Sequence, residues 1–141
     1  WRVVCCFEDP AFTVRREAAM CVGELAEHGD WFVIERLMEL AEDENDYVRV
    51  AALSVLPNLC DREVRGMRCR SHVLQCILER LQDGDADVRE AAVTSLGKLG
   101  CVGDKTAIDL TLVALEDSSR GVSAAAIQSL IQLGDVFDED P

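Results

Sequence analysis

The stretch Asp43-Glu44-Asn45-Asp46-Tyr47-Val48-Arg49-Val50-Ala51-Ala52 returns forty residues later as Asp83-Gly84-Asp85-Ala86-Asp87-Val88-Arg89-Glu90-Ala91-Ala92. An earlier copy reads Asp9-Pro10-Ala11-Phe12-Thr13-Val14-Arg15-Arg16-Glu17-Ala18-Ala19, and a degraded one surrounds Asp117 and Val122-Ser123. The anchor valines 14, 48, 88 and 122 are spaced by 34, 40 and 34 residues. Four residues after each valine stands an alanine (Ala18, Ala52, Ala92, Ala126). Eight after stands Val22, Leu56, Leu96 or Leu130, and eleven after stands Leu25, Leu59, Leu99 or Leu133. Five before stands an aspartate: Asp9, Asp43, Asp83 or Asp117. A fixed period of this length marks a repeat architecture.

Offsets of 0, 4, 8 and 11 fall on one face of a helix, so each anchor opens an amphipathic helix with its stripe turned to a core. The alanines let a neighbouring helix approach closely. A second apolar stripe precedes each aspartate: Val4 and Phe7; Ile34, Met38 and Ala41; Leu74, Leu78 and Leu81; Ile108, Leu112 and Leu115. Each unit therefore reads as two antiparallel helices. First helices are expected at 1–8 (partial), 31–42, 70–82 and 104–116, and second helices at 12–27, 46–60, 86–99 and 120–133. Turn residues separate them, and Gly29, Gly100 and Gly134 stand where second helices stop. One hairpin cannot bury its apolar face alone, so neighbours must stack into a continuous core. The expected fold is all-α: a right-handed α-solenoid of about four helix pairs. It comprises a partial first repeat 1–27, then 31–60, 70–100 and 104–134, followed by an acidic tail 135–141.

The three well-preserved copies at 9–19, 43–52 and 83–92 strongly resemble the HEAT-repeat family in its short form, similar to the repeats of phycobilisome-lyase-type proteins. That resemblance implies a ladder between adjacent repeats, built from the turn aspartate and the arginine six residues later. The matching pairs are Asp9 with Arg15, Asp43 with Arg49 and Asp83 with Arg89. In the fourth copy Asp117 meets Ser123, so the ladder is expected to weaken there.

Composition narrows the function. Among 141 residues, 27 Asp and Glu outweigh 14 Lys and Arg, for a net charge of −13, which disfavours a nucleic-acid partner. No apolar run reaches the length of a membrane span. The seven cysteines (Cys5, Cys6, Cys21, Cys60, Cys69, Cys76, Cys101) include no CxxC pair and mostly sit among aliphatic residues. They read as reduced thiols, and so as an intracellular, reducing compartment such as the cytoplasm or an organelle matrix.

The residues offer little catalytic chemistry. There is no Gly-x-Ser-x-Gly and no phosphate loop, and Gly97-Lys98-Leu99-Gly100 ends a helix instead of opening one. His28 is expected to close a second helix, where an imidazolium favours the helix C-terminus. Cys69, His72 and Cys76, with Cys60 in reach, have a spacing that could ligate zinc. The apolar setting of Cys76 argues for core thiols, so no metal or other cofactor is expected.

Binding surfaces remain. Second helices of stacked HEAT units generally line the concave side. Their outward positions give the candidate partner-binding set Arg16, Met20, Val50, Ser54, Asn58, Glu90, Thr94, Lys98, Gln128 and Gln132. About six extra residues separate repeats two and three, and Arg62, Arg65, Arg68 and Arg70 cluster there as a candidate docking loop for an acidic partner. Pro57, inside a second helix, removes the bond to the Leu53 carbonyl and is expected to kink it. Trp1, Val3, Val4 and Phe7 form an apolar edge expected to need cover from further repeats or another chain. The expectation is a non-catalytic protein-interaction scaffold, a subunit or fragment of a larger assembly whose partners are other protein chains. The family resemblance also suggests an alternative, an accessory subunit of a bilin-lyase-type enzyme or pigment-protein assembly.

Overall fold

The computed structural model describes residues 2–60, 67–99 and 105–134; for residues 67 and 68 only the backbone is described. A 3-10 helix at Val4–Glu8 is followed by seven α-helices: α1 (Phe12–Leu25), α2 (Trp31–Leu40), α3 (Asp46–Leu59), α4 (Met67–Arg80), α5 (Ala86–Leu99), α6 (Lys105–Ala114) and α7 (Arg120–Gly134). No strand occurs among the described residues. The elements fall within one to three residues of the expected limits, the one short of it being the 3-10 turn in place of a first helix at 1–8.

Turn chemistry sets the starts. The Asp30 carboxylate accepts from the Val33 N–H at 3.3 Å, and the Asn45 side chain accepts from the Tyr47 N–H at 3.0 Å. Asp85 accepts from the N–H groups of Asp87 and Val88 at 2.9 and 3.1 Å. Each such cap satisfies donors that the first helical turn leaves open, a contribution of about 1 kcal/mol. After α1, Gly29 takes φ 79°, a left-handed conformation that glycine adopts without strain. Its N–H then donates to the Leu59 carbonyl at 2.7 Å, tying this turn to the end of α3.

The odd-numbered helices α1, α3, α5 and α7 form one layer, packed side by side in chain order; α2, α4 and α6 cover α3, α5 and α7. This is an α-solenoid. Ile34, Leu37, Leu53, Leu56, Ile77 and Leu96 are fully buried in one core that runs through the stack. Val93, Val122 and Ala126 carry burial under α7.

The first repeat departs from the columns. Val48, Val88 and Val122 are buried, but Val14 is 38% exposed; Leu59, Leu99 and Leu133 are buried, but Leu25 is 69% exposed. The helices α3, α5 and α7 each pack on the preceding second helix, and among the described residues no second helix precedes α1. The apolar edge is therefore not the one expected at Val4 and Phe7. Val4 and Phe7 are buried against α1 and α2, and the uncovered surface belongs to α1 itself.

Pro57 is buried, and α3 runs through it without interruption. The carbonyl that proline cannot serve has another donor. Ser95 Oγ, from α5, donates to the Leu53 carbonyl at 2.7 Å, and both residues are buried. The same step recurs one repeat on, where Ser129 Oγ donates to the Val93 carbonyl at 2.7 Å. Both serines lie seven residues after an anchor valine, and both acceptors lie five after one. Glycine makes the approach possible. A Cβ on Gly97 would stand 2.9 Å from Ser129 Oγ and 3.1 Å from Ser129 Cα, and one on Gly23 would stand 2.8 Å from Val55 Cγ1.

Candidate functional site

Two surfaces are built by the repeat: a charged ladder along the turns and a groove between second helices.

In the ladder each arginine clamps two turns. Arg15 Nη1 donates to its own repeat's Asp9 carbonyl at 2.7 Å, while Nε and Nη2 reach the Asp43 carboxylate of the next repeat at 2.9 and 3.0 Å. Arg89 donates likewise to the Asp83 carbonyl at 2.9 Å and, through Nε and Nη2, to the Asp117 carboxylate at 2.9 and 3.1 Å. Arg49 donates to the Asp43 carbonyl at 2.8 Å and to Asp83 Oδ1 at 3.1 Å. Its Nε lies 3.1 Å from Asp83 Oδ2, an ion pair in which this buried donor makes no aligned hydrogen bond. The side-chain partners thus run one repeat ahead of the within-repeat pairs Asp9–Arg15, Asp43–Arg49 and Asp83–Arg89. Asp43, Asp83 and Asp117 each cap their own turn and also receive the preceding repeat's arginine, while an arginine meets its own repeat's aspartate only at the backbone carbonyl. Asp9, Asp43, Asp83 and Asp117 each accept from the backbone N–H two residues on, at 2.8–3.0 Å.

The ladder does not weaken at Asp117, which holds Arg89 with two good bonds. It stops after it, because Ser123 has no cation to send onward and instead donates to the Asp117 carbonyl at 3.2 Å. Electrostatics follow the geometry. The hydrogen bond from Arg89, and then the Ser119 N–H, hold the Asp117 carboxyl below its ordinary range. Hydrogen bonds to Asp43 and Asp117 raise the Arg15 and Arg89 guanidinium groups further above theirs. These pairs are mostly shielded from water and bidentate, which is where arginine–carboxylate pairs are strongest.

The groove lies between α3 and α5. It encloses about 430 Å3 and is lined by Tyr47, Val50 and Ser54 from α3, and by Asp87, Glu90, Ala91, Thr94, Ser95 and Lys98 from α5. Val50, Ser54, Glu90, Thr94 and Lys98 belong to the outward set read from the sequence. Arg16, Met20, Asn58, Gln128 and Gln132 are exposed on second helices but do not line this groove. Arg16 pairs with Glu17 at 2.8 Å, and Gln132 lies over Gly97. Sequence reasoning missed Tyr47 and Asp87, which share the position just before an anchor valine and sit at the mouth, and Ala91 and Ser95, which lie inside. Tyr47 is 57% exposed and stacks on Phe12, with ring centroids 6.2 Å apart.

Arg62 and Arg65 lie outside the described residues, as does the side chain of Arg68. Arg70 is in α4 and donates to the Leu99 carbonyl, so it fastens the end of α5 instead of reaching out to a partner. His28 is exposed in the turn after α1, three residues beyond the helix, so it does not close that helix. Cys60 and Cys69 bring their Sγ atoms to 3.7 Å, while the His72 ring packs edge-on against Trp31 with centroids 5.4 Å apart. Burial pushes the Cys76 thiol up to about 11. Among the described residues, no cluster of three His, Cys, Asp or Glu side chains could hold a metal ion. No helix among them is long and apolar enough to cross a membrane.

Comparison with known proteins agrees with the architecture. Residues 74–140 match the family model for HEAT repeats. The crystal structure of an engineered protein superposes with a TM-score of 0.74 at 16% sequence identity, over 94% of this chain and 61% of that one. The chain thus spans less than two thirds of that protein, and at this identity the likeness is one of fold. No curated protein matches the sequence.

Proposed function

We propose that this chain is a non-catalytic protein-interaction scaffold whose α3–α5 groove receives a segment of a partner protein. The groove itself carries the reading: an open channel of about 430 Å3 in which half-buried Val50 and Ala91 and buried Ser95 lie among exposed polar side chains. Its opposing helices are locked by the Arg49–Asp83 pair and the Ser95–Leu53 bond, so the walls are preformed. HEAT repeats are typically protein-interaction scaffolds, and the fold offers its free surface as the working part. The small, mixed lining suits a peptide chain better than a compact substrate, which would need a more enclosed and more apolar pocket.

The test is a photo-crosslinking amino acid placed at Thr94 in the groove and, as control, at the exposed Glu79 of α4. The expected result is one discrete protein adduct from Thr94 and none from Glu79. Equal labelling from both positions, or an adduct from Glu79 alone, contradicts the groove as the docking site.

A further inference from the structure

The groove has a direction. Tyr47, Asp87 and Glu90 stand at the end where α3 and α5 begin, and Lys98 stands at the end where α5 finishes. Most carboxylates at the starts of these repeats are engaged, since Asp43, Asp83 and Asp117 each hold an arginine. Asp87 and Glu90 differ. Both are exposed, and among the described residues neither carboxylate pairs with a cation; the Lys98 ammonium pairs with none either. Asp87 shares this end of the groove with the Tyr47 ring, which stacks on Phe12, whereas the Glu90 carboxylate turns to Gly121 at the start of α7. A ring face and an unpaired carboxylate in one end of a groove suit a cation, because the quadrupole and the formal charge attract it together.

Spacing fixes the rest. Asp87 and Lys98 are eleven residues apart on one helix, or roughly 16 Å at the usual rise. An extended chain covers that distance in about five residues. Resting on the groove assignment above, we infer that the occupant is an extended segment of a partner protein with an arginine or lysine at one end and a carboxylate about five residues away. The cation lies between Tyr47 and Asp87, the carboxylate meets Lys98, and small apolar side chains between them lie on Val50 and Ala91. The net charge of −13 draws basic segments towards this surface, and the groove selects the one with matching polarity.

The experiment titrates the full chain with a fluorescent eight-residue peptide: one arginine, one aspartate five positions on, and alanine and leucine between. Anisotropy gives affinity, and amide shifts in nitrogen–proton spectra give location. Shifts are expected at 47–54 and 87–98. Exchanging arginine for neutral citrulline should weaken binding by about tenfold, the scale of a charge-assisted contact. Asp87→Asn and Tyr47→Leu should each weaken it by roughly threefold, with helical content unchanged. A peptide with the order of the two charges reversed should bind more weakly.

Several outcomes overturn the inference. One is equal affinity for the arginine and citrulline peptides; another is failure of the arginine peptide to bind. A third is shifts spread over every acidic turn, such as 42–46, which would mean charge attraction without a site. If the citrulline peptide shifts the same groove amides equally well, the cation requirement fails and the groove stands. A groove that fails is seen separately, through the Thr94 crosslink.

Discussion

Ser95→Ala should destabilise the chain more than Ser129→Ala, although the two serines make the same bond at 2.7 Å. The difference lies in the acceptor. In α5 the Val93 carbonyl keeps its helical partner, the N–H of Gly97, so removing Ser129 Oγ deletes one supplementary bond. In α3 the residue in that position is Pro57, which has no N–H, so removing Ser95 Oγ leaves the buried Leu53 carbonyl with nothing. An ordinary hydrogen bond contributes about 0.5–1.5 kcal/mol, whereas an orphaned buried acceptor costs about 1–3 kcal/mol. The expected gap between the two variants is about 1 kcal/mol, or several degrees in melting midpoint for a chain of this size. Urea unfolding followed by helical circular dichroism measures it, provided that the m-value is unchanged. The internal control is Pro57→Ala, which restores a donor to the Leu53 carbonyl. In that background Ser95→Ala should fall to the cost of Ser129→Ala, and the cycle cancels whatever Pro57→Ala does by itself. Equal costs for the two serines, or no coupling between positions 57 and 95, would refute the reasoning.

Other consequences follow from the same packing. Gly97→Ala should destabilise by about 1–2 kcal/mol in thermal melts despite alanine's better helix propensity, because the added methyl meets Ser129 Cα at 3.1 Å. Arg89 lowers the Asp117 pKa, so the native state favours the ionised carboxylate. Stability from this rung is therefore complete above about pH 4 and lost as pH falls through the carboxylate range, and Asp117→Asn should flatten the acid limb of a stability–pH curve. Cys76 has the opposite sense. Its thiol is raised to about 11, so its contribution is complete below the ordinary thiol range and lost as pH climbs from there towards 11. Cys76→Ala should flatten the alkaline limb, and native Cys76 should alkylate more slowly at pH 8 than exposed Cys21.

What could be read in advance was whatever repeats. Offsets 0, 4, 8 and 11 located every second helix, because core contacts between stacked rods repeat with the rods. The same columns misplaced Val14 and Leu25, since a column states which face is apolar and not whether a neighbour is present to cover it. The ladder's residue types were legible from Asp43 and Arg49, but its register was not. Which turn an arginine reaches depends on how neighbouring helices lie, a property absent from spacing within one repeat. The serine step at positions 95 and 129 escaped notice because only two of the four copies carry it, Cys21 and Val55 standing in the others. Half of the groove was visible as outward positions. Its mouth was not, because Tyr47 and Asp87 precede the helical stripe that the periodicity picks out.

The register of the ladder is the centre of this account, and a pair of double-mutant cycles tests it most directly. Arg15→Ala combined with Asp43→Ala should show a coupling of about 1.5–3 kcal/mol, as a shielded bidentate pair gives, whereas Arg15→Ala with Asp9→Ala should show almost none, since Arg15 binds only the Asp9 backbone. Strong coupling to Asp9 with none to Asp43 would mean that the arginines close their own hairpins and do not join one repeat to the next.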